Sequence, residues 1–182
     1  AFCGCKKLQS IALPDNVICI EDYTFKGCSS LKTITIYSGI NYIGKGAFAS
    51  CTSLETAMIY EGVTLIESYA FAHCSSLKSI IIPNSINSIK NFVFNGCCSL
   101  ESIEIPESVT EIAGYAFAGC TGIKELVIEG GESAITIDCK FKDSPIEKLH
   151  IGRNGSYAFN NRVDLKEVSV GDNVTSLPKS YK

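Results

Sequence analysis

The chain has no tryptophan, a single methionine and two histidines. Neither His73 nor His150 has a matching Cys-x-x-Cys pair, which argues against a zinc site. Charge is also sparse. Only 19% of residues are charged, the net charge is −3, and lysine and arginine never form a run. Nucleic-acid binding rests on clustered positive charge, so that class of partner is disfavoured. No apolar stretch approaches the ~20 residues a transmembrane helix needs. An initiator methionine and a signal peptide are both missing. The chain opens inside a repeat at Ala1-Phe2-Cys3 and stops at Pro178-Lys179-Ser180-Tyr181-Lys182, where another Ala-Phe pair would fall due. This reads as a piece of a longer protein, with any targeting segment out of view.

What is present is a period. Phenylalanine returns every 23 residues at Phe2, Phe25, Phe48, Phe71, Phe94 and Phe117. Cysteine keeps the same step at Cys5, Cys28, Cys51, Cys74, Cys97 and Cys120. A strict step of this size marks a stacked repeat, in which each unit completes its core against its neighbours. The hydrophobic fraction of 46% is rich enough for that core and too rich for a disordered chain.

One unit reads Ala-Phe-x-x-Cys-x-x-Leu-x-x-Ile-x-Ile-Pro-x-x-Val-x-x-Ile-x-x-Tyr. The Leu column holds Leu8, Leu31, Leu54, Leu77, Leu100 and Ile123. Behind it run Ile11, Ile34, Ala57, Ile80, Ile103 and Leu126, then Leu13, Ile36, Ile59, Ile82, Ile105 and Ile128. These last two columns alternate with polar residues, as a short half-buried strand requires. Pro14, Pro83 and Pro106 end that strand, because proline cannot donate to a ladder. A second apolar pair, such as Ile40 and Ile43 or Val63 and Ile66, predicts a tight turn or a second short strand. Phe packs behind the strand, and the polar small residues after it turn the chain back. After Ile128 the pattern loosens, and residues 129–145 form a stretched unit. The expectation is a single β-rich solenoid over 1–182 with about eight units. Residues 1–128 would be regular and 129–182 irregular. One short parallel strand per repeat would line the concave face, with turns or short helical segments on the convex face.

The ladder cysteines suit small buried apolar side chains. Pairing between adjacent coils remains open, since coils ~4.8 Å apart fall inside the Cα spacing that disulfides tolerate. Cys3, Cys19, Cys98 and Cys139 sit outside the ladder, and their redox state is not fixed by the pattern.

Leu-x-x-Ile-x-Ile on this step resembles a leucine-rich repeat. With Pro after the strand, an Ala-Phe pair and Cys before the next Leu, it is similar to the BspA-like subclass, as Leu77 to Cys97 (LKSIIIPNSINSIKNFVFNGC) displays. The asparagine of the conventional repeat is replaced by Gly39, Gly62, Ser85 and Ser108, while Asn16, Asn154 and Asn173 keep it. The resemblance implies a right-handed coil and a secreted or surface-anchored protein of a host-associated microbe. It also implies adhesion to host matrix proteins or other bacteria.

Outward strand side chains form continuous columns. One holds Ala12, Thr35, Met58, Ile81, Glu104, Val127, His150 and Ser169. Beside it run Pro14, Tyr37, Tyr60, Pro83, Pro106 and Glu129. Tyr37, Met58, Tyr60 and Ile81 form the candidate partner-binding cluster, of the composition binding hot spots have. β-propensity alone also fills a sheet with such residues. A third column, Lys32, Glu55, Lys78, Glu101 and Lys124, alternates in sign and is read as strand-pair stabilisation. For catalysis there is little: His150 has no motif-placed nucleophile, and Gly130-Gly131 lacks the Lys-Ser/Thr of a phosphate loop. Cys97-Cys98 is a vicinal pair, but Cys97 belongs to the ladder. Asn154-Gly-Ser and Asn173-Val-Thr are acceptor-type sequons. No enzyme activity, cofactor or metal is expected. The expected function is a monomeric adhesion module that presents its sheet to a protein or glycan on a host or neighbouring cell. A rigid spacer and an accessory module of an enzyme are the alternatives.

Overall fold

The computed structural model describes residues 2–138, 141, 143–157, 159 and 164–177. Ala1, Cys139 and the 178–182 end lie outside them. The chain winds into a solenoid of about six turns with parallel strands. In chain order the strands are β1 (Cys19–Ile20), β2 (Thr33–Ile36), β3 (Tyr42–Ile43), β4 (Thr56–Ile59), β5 (Leu65–Ile66), β6 (Ser79–Ile80) and β7 (Ser88–Ile89). There follow β8 (Ser102–Ile105), β9 (Glu111–Ile112), β10 (Glu125–Ile128), β11 (Ile135–Ile137), β12 (Lys148–Ile151), β13 (Gly155–Tyr157) and β14 (Glu167–Val170). Even-numbered strands pair only with each other, and so do odd-numbered ones. The second apolar pair of each unit therefore builds a second strand face rather than a tight turn. No helix forms among the described residues, so the back of each coil is turns. The expected eight units and helical segments are not found. The tail departs from the 23-residue step: Val168 lies opposite Leu149 and Tyr157 opposite Ile137, in coils shorter than the repeat.

Period-two burial drives the even face. In β2, Ile34 and Ile36 are buried while Thr33 faces out. Each odd strand buries its last residue, such as Ile43 in β3, Ile66 in β5 and Ile137 in β11. Behind both faces runs the phenylalanine row. Phe2, Phe25, Phe48 and Phe71 stack with ring centroids 5.4, 5.3 and 5.2 Å apart. Each ring is covered by those of adjacent coils, so no coil buries its own phenylalanine alone.

The cysteines do more than fill space. Cys51 Sγ donates to Phe25 O at 3.2 Å, and Cys74, Cys97 and Cys120 repeat this onto Phe48, Phe71 and Phe94. The same Phe25 carbonyl accepts Cys28 N–H at 3.1 Å. One thiol per coil thus gives a buried carbonyl its second partner, where an orphaned group would be costly. Burial pushes the Cys51 and Cys120 thiols up to about 12, and Cys74 and Cys97 also lie well above the usual range. The described cysteines are all unpaired.

The back of the coil is continuous. Phe48 N donates to Ala70 O, Phe71 N to Val93 O and Phe94 N to Ala116 O, at 2.8–2.9 Å. The strand faces are not. On the even face β6 pairs with β4 over two residues, and no ladder joins β6 to β8. On the odd face no ladder joins β5 to β7. The strand ladders of residues 77–99 therefore run backward on the even face and forward on the odd face. The Phe71–Phe94 spacing widens to 5.9 Å at the same place, where Val93 replaces the Ala47, Ala70 and Ala116 of its column.

The stretched unit is absorbed locally. Ile137 of β11 pairs with Ile112, two residues more than the usual step. By β12 the step is restored, with Leu149 opposite Leu126. Arg153 clasps this region. Fully buried, it donates from Nη2 to Pro106 O at 2.9 Å and to Val109 O at 2.6 Å, and from Nη1 to Glu107 O. Burial lowers its basicity.

Two outcomes follow from the rungs. Phe71→Ala removes a ring stacked on both sides and should destabilise by ~3–5 kcal/mol in urea unfolding, whereas the half-exposed Phe2→Ala should cost under about 1 kcal/mol. With thiol reagent at pH 8, Cys3, Cys5 and Cys98 should react in the folded protein, and the buried ladder only on unfolding. Labelling of Cys28, Cys51, Cys74, Cys97 or Cys120 as fast as Cys98 would refute this assignment.

Candidate functional site

The even strand face carries the candidate cluster. Its strands place Tyr37 just past β2, Met58 in β4, Tyr60 just past β4 and Ile81 just past β6. All point away from the core, with Ile81 76% and Tyr60 52% exposed. Tyr37 and Tyr60 stack with centroids 6.2 Å apart and planes 26° from parallel. Met58, Tyr60 and Ile81 line a cavity of about 370 Å³, together with Pro83 and the backbone of β4 and β6. Tyr37 stands outside it and buttresses Tyr60.

The cavity exists because the ladder ends early. Tyr60 N donates to Ile36 O at 3.0 Å, and Glu129 N to Ile105 O at 3.0 Å. The equivalent positions on either side of the coil of residues 77–99 are Pro83 and Pro106, which carry no N–H. Two successive closing bonds are therefore impossible, and β6 stops at Ile80.

A smaller cavity of about 170 Å³ shares Glu61, Ile80 and Ile81 with the first and is also lined by Glu104, Pro106 and Glu129. Glu61 is committed to its neighbour, accepting Asn84 N at 2.9 Å and Ser85 N at 3.0 Å. Glu129 accepts Glu107 N at 3.2 Å. A hydrogen bond with the Glu129 carboxylate, then burial, then the like charge push the Glu104 carboxyl above its usual range.

The other sequence candidates fall as follows. Lys78 pairs with Glu55 at 2.8 Å, and Lys166 with Glu147 at 2.9 Å further along the same alternating column. Both pairs are exposed and structurally modest. His150 Nδ1 lies 2.8 Å from Ser169 Oγ on the open sheet, and no hydrogen bond among the described residues sets a carboxylate on its other nitrogen. That is a nucleophile and a base without the group that orients them. Cys98 is exposed while Cys97 is buried in the ladder, so the vicinal pair is split. Asn154 Oδ1 accepts Thr175 N at 3.0 Å and Ser176 N at 3.2 Å, which spends this sequon side chain on a turn. Among the described residues no group of three or more His, Cys, Asp or Glu is placed to hold a metal ion. Nor is any helix among them long and apolar enough to cross a membrane.

Sequence reasoning passes over two features. One is the contact of Glu104 with Glu129, which spans neighbouring coils on a diagonal. The other is a second aromatic row, Tyr69, Phe92 and Tyr115, with centroids 4.8 and 5.0 Å apart. Its signal is the Tyr that closes the repeat unit. The row breaks at Gly46, whose φ is +58° and where a Cβ would sit 2.8 Å from the Tyr23 ring.

Parallel strands, a 23-residue step and stacked Phe rungs define a leucine-rich-repeat solenoid. The BspA type leucine rich repeat region profile matches residues 1–124 and 97–181 in six copies, and the chain belongs to that family. Similar solved structures come from bacteria. A leucine rich cell surface protein of Faecalibacterium prausnitzii is 37% identical, with TM-score 0.63, over 66% of this chain and 32% of that one. The Treponema pallidum (T. pallidum) leucine rich repeat protein is 25% identical, with TM-score 0.62, over 87% of this chain and 64% of that one. A leucine-rich repeat protein of Bacteroides ovatus is 26% identical, with TM-score 0.55, over 96% and 58%. The chain thus spans between about a third and just under two thirds of these proteins. The comparison with curated proteins found no match.

The raised Glu104 carboxyl has a pH consequence. Its protonated form is favoured by folding, so this contribution is present below the usual carboxylate range and lost as pH rises through the folded-state value. Glu104→Gln should therefore be more stable than the parent at pH 7, by about 0.2–1 kcal/mol after allowing for solvent screening. The difference should vanish on acidification below about pH 4. Urea midpoints across pH would show it.

Proposed function

We propose that the chain is a binding module of a cell-surface or secreted protein, and that it presents the even strand face around Tyr37, Met58, Tyr60 and Ile81 to a macromolecular partner. The observation that carries this reading is an exposed aromatic and aliphatic cluster around an open cavity, on a face where threonine, serine and charged side chains hold many of the other outward places. Contiguous apolar surface of this kind costs solubility unless a partner covers it. An extended solenoid face fits a protein or glycan on a host or neighbouring cell. The similarity to a leucine rich cell surface protein supports the location, and the adhesive role of the subclass supports the purpose. The module is one solenoid over 1–182, acts as a monomer and has no catalysis of its own.

Binding to a panel of immobilised host matrix proteins tests it. The parent should bind at least one of them. The Tyr37→Ala, Met58→Ala, Tyr60→Ala triple variant should bind at least about tenfold more weakly, with an unchanged urea midpoint. Equal binding by both proteins would remove the strand-face patch as the site. Failure of the parent to bind any of them would make the module a rigid spacer.

A further inference from the structure

We propose that the gap between the coils of residues 54–76 and 77–99 is a peptide subsite: an apolar side chain of a partner protein enters the cavity beside Met58, Tyr60, Ile81 and Pro83, and an adjacent lysine or arginine lies on Glu104 and Glu129. This rests on the strand face being the binding surface and names the chemistry of its partner.

The gap is built into the chain. The turns behind it stay bonded through Phe71 N to Val93 O and Phe94 N to Ala116 O, while Pro83 and Pro106 deny the strands their closing bonds in front. The space is therefore open without the coils separating. At about 370 Å³ it lies at the low end of the range of ligand pockets, suited to a side chain rather than to a large cofactor. Its side-chain walls are mainly apolar, so water held there is poorly bonded and easily displaced.

The acidic flank selects what lies beside the apolar group. Glu104 and Glu129 line the same small cavity from neighbouring coils, where like charge makes full ionisation costly. A cation between them relieves that cost and gains two charge-assisted bonds. The cation already nearby, Arg153, is buried and spent on the carbonyls of Pro106, Glu107 and Val109. Lys78 points to Glu55 instead. The stacking of Tyr37 on Tyr60 covers one face of each ring, which leaves a sugar less open platform than isolated rings would. A protein segment is thus the occupant the site favours.

End-blocked peptides Gly-Leu-Lys-Gly-Gly, Gly-Leu-Glu-Gly-Gly and Gly-Ser-Lys-Gly-Gly, titrated to millimolar concentration into nitrogen-15-labelled protein, test this. The Leu-Lys peptide should shift the amides of Met58, Tyr60, Ile81 and Glu104. It should also bind about threefold to fivefold more tightly than either control, the range an exposed ion pair supports. In the Glu104→Gln, Glu129→Gln double variant the preference for Leu-Lys over Leu-Glu should disappear while the Met58 and Ile81 shifts persist. Three results would overturn the proposal: equal binding of the Leu-Glu peptide, a preference that survives the double variant, or no shift at these amides with any peptide. Movement of the same resonances on simple dilution would make a second copy of the chain the occupant, and would also overturn it. If matrix proteins bind through the patch while the peptides show no preference, the binding-surface reading stands and only this inference falls.

Discussion

Everything in this solenoid depends on one rung: a phenylalanine ring closed by its neighbours' rings, with its carbonyl closed by its own coil's Cys N–H and the next coil's Cys S–H. Neither half of that rung can be completed within a single unit. The ring is the largest buried side chain of the unit, and an uncovered face would forfeit much of its burial. Stability is therefore a property of adjacent pairs of coils, as in other quasi-one-dimensional folds. The thiol is chosen for this place because it is small enough for a coil-to-coil contact and still donates. Alanine would fit but leave the carbonyl with one partner fewer.

Because the rung lies behind the strands, the two sides of the coil carry different obligations. The back must repeat, and it does so through the coil of residues 77–99, where Phe71 N still reaches Val93 O. The front can lose pairing without unstacking the rings, which move apart only from 5.2 to 5.9 Å. Substitution on the strand face is thus cheap in stability, and a site can vary there while the scaffold behind it stays fixed. The same logic explains how two extra residues around Ile135 are taken up on the odd face while Leu149 keeps its place opposite Leu126.

The fold was largely legible because a period reports on stacking directly. Phe and Cys every 23 residues require coils in register, and alternation at Ile34 and Ile36 requires a strand. The identities of the outward residues were legible for the same reason, which is why Tyr37, Met58, Tyr60 and Ile81 could be named together. The cavity between them was not. Pro83 ends a strand when its own coil is considered alone. Its missing N–H matters only through Ile59 of the preceding coil, a partner that a single repeat does not display. Arg153 was hidden for a similar reason: its carbonyl partners lie in residues 106–109, across the stretched unit, and no periodic column connects them. The expected eight units counted the irregular columns after Ile128 as repeats, while the structure supports about six turns.

Charge on the strand face separates scaffold from site. One column alternates Lys32, Glu55, Lys78, Glu101, Lys124, Glu147 and Lys166, so that neighbouring coils always present opposite signs. Stability alone accounts for that order, since like charges side by side on adjacent strands are unfavourable. Glu104 and Glu129 break the rule on the same face, setting two carboxyls around one small cavity beside an apolar opening. Nothing in the packing requires glutamate at position 104, where Thr35, Met58, Ile81 and Val127 occupy the equivalent strand place. A chain that avoids like-charge neighbours along one column and tolerates them beside the unpaired seam of the same face is paying there for something other than stability. The local violation lies one strand pair beyond the lost ladder, across β8 and β10 beside the open β6–β8 seam, and the stretch from β6 to β10 is the part of the solenoid that scaffolding does not explain.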